Sequence, residues 1–213
     1  MRLGEWRKVA DMGKIRDETW FTACALAANI YVCEASYQED APCWAFRTSD
    51  FGWEKVSSIG IGRFGSACCA FRGKVVVSGG MVAGMVETDA VEAYCHLADD
   101  WARMPGTVRA RRMHGQAAVG DKLFVVGSED CEVFDSASRQ FALISEPMRS
   151  RRVGRKPFQV VSVGKRIVVF DCNSVAFLCY DVEKDEWSEG ELEGKIEICR
   201  FACAKVPKLS IEV

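Results

Sequence analysis

Apolar residues in this chain come in short runs, each opened by small or turn-forming residues, and the runs recur. Four of them align without gaps: "AANIYVCE" (27–34), "GKVVVSGG" (73–80), "DKLFVVGS" (121–128) and "GKRIVVFD" (164–171). Their brevity and β-branched content predict strands rather than helices. A second short strand is predicted just upstream of each, in "WFTACAL", "SACCAF", "GQAAV" and "FQVVSV". Downstream stand two rings, the second seven residues after the first: Phe46 and Trp53, Tyr94 and Trp101, Phe134 and Phe141, Tyr180 and Trp187. Trp6 fits as a further second member, and successive second members lie 47, 48, 40 and 46 residues apart. A polar turn separates the rings, as in "YDVEKDEW", and predicts a hairpin. Each period therefore predicts four short antiparallel strands.

Between the aligned block and its first ring the spacing is 12, 14, 6 and 9 residues. Variable length at one recurrent place marks a surface loop on a rigid scaffold. A four-stranded sheet with two apolar faces cannot stand alone. Stacking such sheets radially, as blades of a β-propeller, buries both faces. The expected division is a final strand of a truncated blade at 1–12, then blades at 13–58, 59–106, 107–148 and 149–194. The tail 195–213 supplies the opening strand or strands of a closing blade, because "RFACAKVPKLSIEV" repeats the first-strand pattern.

Repeat two carries an apolar strand ending in Gly79 and Gly80, a variable loop, then Tyr94 and Trp101. In these features and in its period the chain resembles kelch repeats. The other copies depart from the pattern. Repeat three keeps Gly127 but has Phe134 and Phe141 as its rings; repeat four has Phe170 and Asp171 where the glycines belong, and repeat one has Cys33 and Glu34. The resemblance implies an all-β kelch-type propeller. It also implies that the chain is part of a larger ring, the alternative being a five-bladed ring with an incomplete closing blade.

A dinucleotide site is the first rival reading, because "GIGRFG" (60–65) fits the glycine pattern of a pyrophosphate cradle. That pattern needs a helix opening on its last glycine and an acid ending the next strand. Here a strand follows, and it ends on Gly79 and Gly80. The same register in the other repeats reads "KIRDET", "VRARRM" and "RRVGRK", so these glycines belong to an inter-repeat link. No cofactor is expected.

Composition narrows the remaining classes. The 213 residues are 49% hydrophobic and 27% charged with a net charge of −2, which gives no global pull toward nucleic acid or anionic membrane. There is no long apolar span, and the N-terminus lacks the apolar core of a signal peptide, so a cytoplasmic protein is expected. The eleven cysteines are odd in number, form no C-x-x-C pair and fall mostly in apolar runs. They are expected to be reduced, buried thiols rather than metal ligands. Neither a nucleophile elbow nor a zinc-protease helix occurs.

The chain is thus expected to be a binding module, not an enzyme. It is similar to the C-terminal propeller of BTB-kelch proteins, which implies substrate recognition for a cullin-type E3 ubiquitin ligase. Ligase docking would then require a BTB domain that these residues do not contain. A cytoskeletal, actin-binding kelch protein is the alternative. A copper-oxidase-like propeller is the weak one, since it would rest on His96 and His114, the two histidines of the chain.

Two surfaces are candidates for partner contact. One is the variable loop of repeat two, with Met81, Val82 and Met85. The other is a basic rim of links in register on successive blades: Arg63, Arg109, Arg111, Arg112, Arg151, Arg152 and Arg155. Guanidinium forks at such positions suit an acidic peptide segment. Acids such as Glu87, Asp89 and Glu92 read as solvated, and Asp121 and Glu146 as possible partners of the arginines.

Overall fold

The computed structural model describes residues 20–128, 130–144, 158–171 and 176–191. Its strands form four four-stranded antiparallel sheets, one per repeat. Blade one holds β1 (Phe21–Leu26), β2 (Asn29–Glu34), β3 (Ala41–Arg47) and β4 (Gly52–Ile59). Blade two holds β5 (Ala67–Phe71) and β6 (Lys74–Ser78), then a small inserted hairpin of β7 (Met81–Val82) and β8 (Val86–Glu87), then β9 (Val91–Cys95) and β10 (Asp100–Met104). Blade three is β11 (Gly115–Val119), β12 (Lys122–Val126), β13 (Cys131–Asp135) and β14 (Gln140–Leu143); blade four is β15 (Phe158–Val163), β16 (Arg166–Asp171), β17 (Ala176–Asp181) and β18 (Glu186–Glu191). The first strands of successive blades run beside one another, and from them each sheet runs outward.

The seven-residue ring spacing has a direct geometric meaning. Each pair is a directly opposed cross-strand pair across the third hairpin, with centroids at 5.1 Å (Phe46, Trp53), 5.3 Å (Tyr94, Trp101), 5.1 Å (Phe134, Phe141) and 5.0 Å (Tyr180, Trp187). The hairpin closes on a residue in the left-handed region in all four blades: Phe51, Asp99, Arg139 and Asp185. From blade two onward the first ring also reaches back to the preceding blade. Tyr94 meets Tyr31 at 5.6 Å, Phe134 meets Phe71 at 6.2 Å, and Tyr180 meets Phe124 at 5.8 Å. Such contacts add about 0.5–1.5 kcal/mol each to simple burial.

Polar stitches follow the same route between blades one and two. The Trp101 indole donates to the Ser57 carbonyl at 2.8 Å, while the Ser57 amide (2.8 Å) and the Tyr94 hydroxyl (2.7 Å) donate to Asp99 Oδ1. These donors, the Ser57 amide first, hold the Asp99 carboxyl below the usual carboxylate range.

The links into blades two and three are each clamped to their own blade by a buried ion pair. Arg63 and Glu92 are both 3% exposed; the guanidinium bonds the carboxylate and also donates to the Ala90 carbonyl at 2.7 Å and the Ile61 carbonyl at 3.0 Å. Burial pulls the Arg63 pKa down to about 10, so the guanidinium stays charged at neutral pH. One repeat later, Arg111 bonds the fully buried Glu132 and holds Asp130 at 2.6 Å. The Val108 and Arg109 amides also donate to Glu132, at 2.6 and 3.0 Å. Gly79 and Gly80 sit where two links cross the blade. A Cβ on Gly79, at φ +56, would lie 2.6 Å from the Arg111 carbonyl oxygen.

Two outcomes follow. Arg63→Met leaves Glu92 buried without its cation and should cost about 3–5 kcal/mol in urea unfolding, with part of the loss recovered by adding Glu92→Leu; a cost below about 1 kcal/mol would show the clamp to be dispensable. Asp99 has a lowered pKa in the folded state, so its contribution is present above the ordinary carboxylate pKa and is lost as acid protonates it. Asp99→Asn should therefore lower the melting temperature by about 2–4 °C at pH 7, and the difference should shrink toward pH 3.

Candidate functional site

One end of blades two and three gathers segments that are far apart in sequence. Each β-strand reverses direction, so the inter-repeat links and the variable loops emerge at the same end of blades two and three. The first link meets the blade-two hairpin through paired bonds between Phe64 and Met81, at 2.9 and 2.8 Å. The second link meets the same loop through the Gly80 amide and the Arg111 carbonyl (2.7 Å), the Thr107 amide and the Asp89 carbonyl (2.9 Å), and the Arg111 amide and the Thr88 carbonyl (3.3 Å). The two links touch each other where the Met113 amide donates to Gly65 at 2.7 Å. Residues 60–66, 79–90 and 105–114 thus make one continuous, hydrogen-bonded face.

The arginines on this face divide into two that are buried and two that are exposed. Arg63 and Arg111 are buried, because the guanidinium of each turns inward to its blade's glutamate. Glu92, read as solvated, is the partner of Arg63 and is buried with it. Two arginines do reach the surface. Arg112 pairs with Glu87 at 3.1 Å and leans on the Met81 sulfur at 3.3 Å; Arg109 pairs with Asp130 at 3.1 Å. Among the described residues the acids that serve them are Glu87 and Asp130 rather than Asp121, and Glu146 lies outside the described residues. Arg151, Arg152 and Arg155 lie outside the described residues, as does Trp6.

The loop candidates also separate. Met81 is 8% exposed, buried because it pairs with Phe64 on one side and Glu87 on the other. Val82 is half-buried, whereas Met85 stands 77% exposed at the hairpin tip, next to Val86. Sequence reasoning missed a neighbouring aromatic group. Phe64 lies 5.4 Å from Trp20 and 6.2 Å from Tyr37, and the latter two are exposed. Its signal was weak, because Tyr37 and Phe64 fall in segments that differ from repeat to repeat.

The two histidines are apart. His114 is buried at the link end, its Nε2 3.0 Å from the Ser78 hydroxyl, while His96 sits in the turn between β9 and β10 at the opposite end of blade two. They cannot share one metal ion. Among the described residues no group of three His, Cys, Asp or Glu side chains is placed to hold a metal. The described cysteines are free thiols, and burial pushes Cys69 and Cys131 well above the usual thiol range. No described helix is long and apolar enough to cross a membrane.

No protein-family model matches the chain. Among curated proteins it is similar to mouse Kelch-like protein 35, 26% identical over 188 residues that cover 84% of this chain and 32% of that protein. It is also similar to human Kelch-like protein 35, 29% identical over 107 residues, which cover 50% of this chain and 18% of the other. The chain thus spans a third or less of the length of these relatives. Among solved structures, "Structure of YjhT" superposes with a TM-score of 0.66 at 13% identity, over 82% of this chain and 66% of that one. With the repeat period, the four-stranded blades and the opposed ring pairs, these likenesses identify the chain as a kelch-repeat β-propeller.

Proposed function

We propose that this kelch propeller is a protein-interaction module, and that it serves as the substrate-holding propeller of a BTB-kelch adaptor of a cullin-type E3 ubiquitin ligase. The observation that carries the reading is the face built from residues 60–66, 79–90 and 105–114. There a rigid set of backbone hydrogen bonds presents exposed side chains from two links and a hairpin. A surface ordered before its partner arrives loses less entropy on binding, which suits recognition. Likeness to Kelch-like protein 35 supports the adaptor role over other uses of the fold. Ligase docking would lie in a BTB domain outside these residues.

A binding module rather than an enzyme also fits the histidines. A copper centre of the propeller-oxidase kind would need them together, and they stand at opposite ends of blade two. Actin binding is the second reading. No described feature favours it over the adaptor.

The two are separated by paired assays. Immobilised chain should capture a cellular protein that accumulates when cullin activation is blocked, and the chain should stay in the supernatant when actin filaments are pelleted. Co-sedimentation with filaments would favour the cytoskeletal reading. A captured protein whose level ignores cullin activity would remove the adaptor role while leaving the interaction module standing.

A further inference from the structure

The tip of the blade-two hairpin is built in a way that solvent exposure alone does not explain. Met85 is 77% exposed and Val86 59% exposed, on a face where Val108 is also exposed. Met85 adopts φ +62, a left-handed conformation that costs an ordinary side chain about 1–2 kcal/mol. Left-handed residues recur in the third hairpin of every blade, in the first hairpins of blades one and two (Ala27, Ala28, Arg72) and at Asp40 and Met113. Among the described residues outside these turns, Met85 is the exposed large apolar side chain in that conformation. Glycine, asparagine or aspartate would fit the position with less strain, and each would also be more soluble there. Strain at an exposed apolar residue persists where the surroundings over-determine it, and such positions cluster at binding sites.

The surroundings do over-determine it. The hairpin stem pairs Met81 with Glu87 and Val82 with Val86. Phe64 bonds Met81 from one side, and the Thr88 amide closes onto the Gly80 carbonyl at 3.0 Å. Arg112 spans Met81 and Glu87. The tip is therefore a rigid projection and not a slack loop. Methionine at such a place supplies an adaptable, polarizable contact.

The charges beside the tip decide what it fits. Arg112 faces Glu87 and Arg109 faces Asp130, so an acidic ligand would have to displace a carboxylate already in place. Arg63 and Arg111 are buried in their own ion pairs. The described arginines beside the tip are thus already paired with carboxylates, which favours an uncharged ligand. We propose that Met85 and Val86 anchor the partner, and that what they take is an apolar, uncharged segment of a protein, held by burial rather than by the arginines. This rests on the reading of the chain as an interaction module and supplies the chemistry of its partner.

A peptide library displayed on phage, random in sequence and selected on the immobilised chain, tests it. Selected peptides should carry apolar side chains without net charge. Their affinity should change by less than about twofold between 0.05 and 0.5 M salt. Met85→Asp should weaken them by about tenfold or more. Met85→Asn should weaken them as well, while raising the melting temperature by about 1–4 °C through relief of strain. That split, a stabler fold with poorer binding, is not expected of a merely structural tip. Acidic peptides whose binding falls with salt would overturn the proposal in favour of the arginines. So would peptides indifferent to both Met85 variants, which would leave the interaction module intact but move its site. Tight binding of the wild-type chain to neutral phosphatidylcholine vesicles, lost in Met85→Asp, would make the ligand a lipid surface and overturn it too. Selection of no peptide at all would count against the interaction module itself.

Discussion

A four-stranded sheet with two apolar faces has to be covered twice, and nearly every feature of this chain follows from that requirement. Val75 and Val77 of β6 pack toward blade one, while Val76 between them packs toward blade three. The central strands are consequently apolar at successive positions, not alternating, and β6 and β12 read as unbroken runs. Outer strands carry the opposite pattern. In β18 four of six residues are exposed, and Trp187 is the ring turned inward onto Tyr180. Ring pairs fill the widening gap between sheets as they fan outward, where aliphatic side chains would leave voids.

Stacking alone fixes blades and leaves the connections undetermined. Buried ion pairs supply that second level of order. Arg63 and Arg111 occupy the same place in successive links, and Glu92 and Glu132 each stand two residues before the first ring. A buried pair of this kind adds little net stability, because removing two charges from water offsets most of their attraction. Its value is in position. The guanidinium of Arg63 also bonds the backbone of its own link and of the loop before β9, so link and loop are held in one arrangement. The candidate site inherits its rigidity from these two clamps.

The fold was legible in the sequence because its cause is periodic. Ring spacing, strand order and hairpin type repeat wherever the same packing requirement repeats, and the degraded glycines of repeats one and four did not obscure them. The site was legible only in part. A basic link looks the same in sequence whether its arginines face water or a buried glutamate. Yet a signal was there. The two repeats that place arginine at the fourth link position also place glutamate before the ring, whereas the others have Asp17 with Trp44 and Gly154 with Leu178 at these positions. Co-occurrence of opposite charges in register is the mark of a buried pair, and charge counting along a single link misses it. Met81 and Met85 were equally indistinguishable in sequence, because the hairpin that buries one and exposes the other belongs to a single repeat.

The two levels of order also explain why variation concentrates where it does. Strand positions answer to both neighbouring blades, and link arginines answer to a glutamate across the same blade, so a change at either needs a second change elsewhere. The loop between β6 and β9 answers to neither once it has left Gly80. It can lengthen into a hairpin of its own without disturbing the ladder between those strands, which still pair from Val75 with Tyr94 to Ser78 with Val91. A segment free of packing duties but anchored at both ends by Phe64, Gly80 and Arg111 can hold a strained, exposed methionine at little risk to the fold. That combination of a tolerant loop on an intolerant frame is what lets one repeated sheet carry a surface particular to this protein.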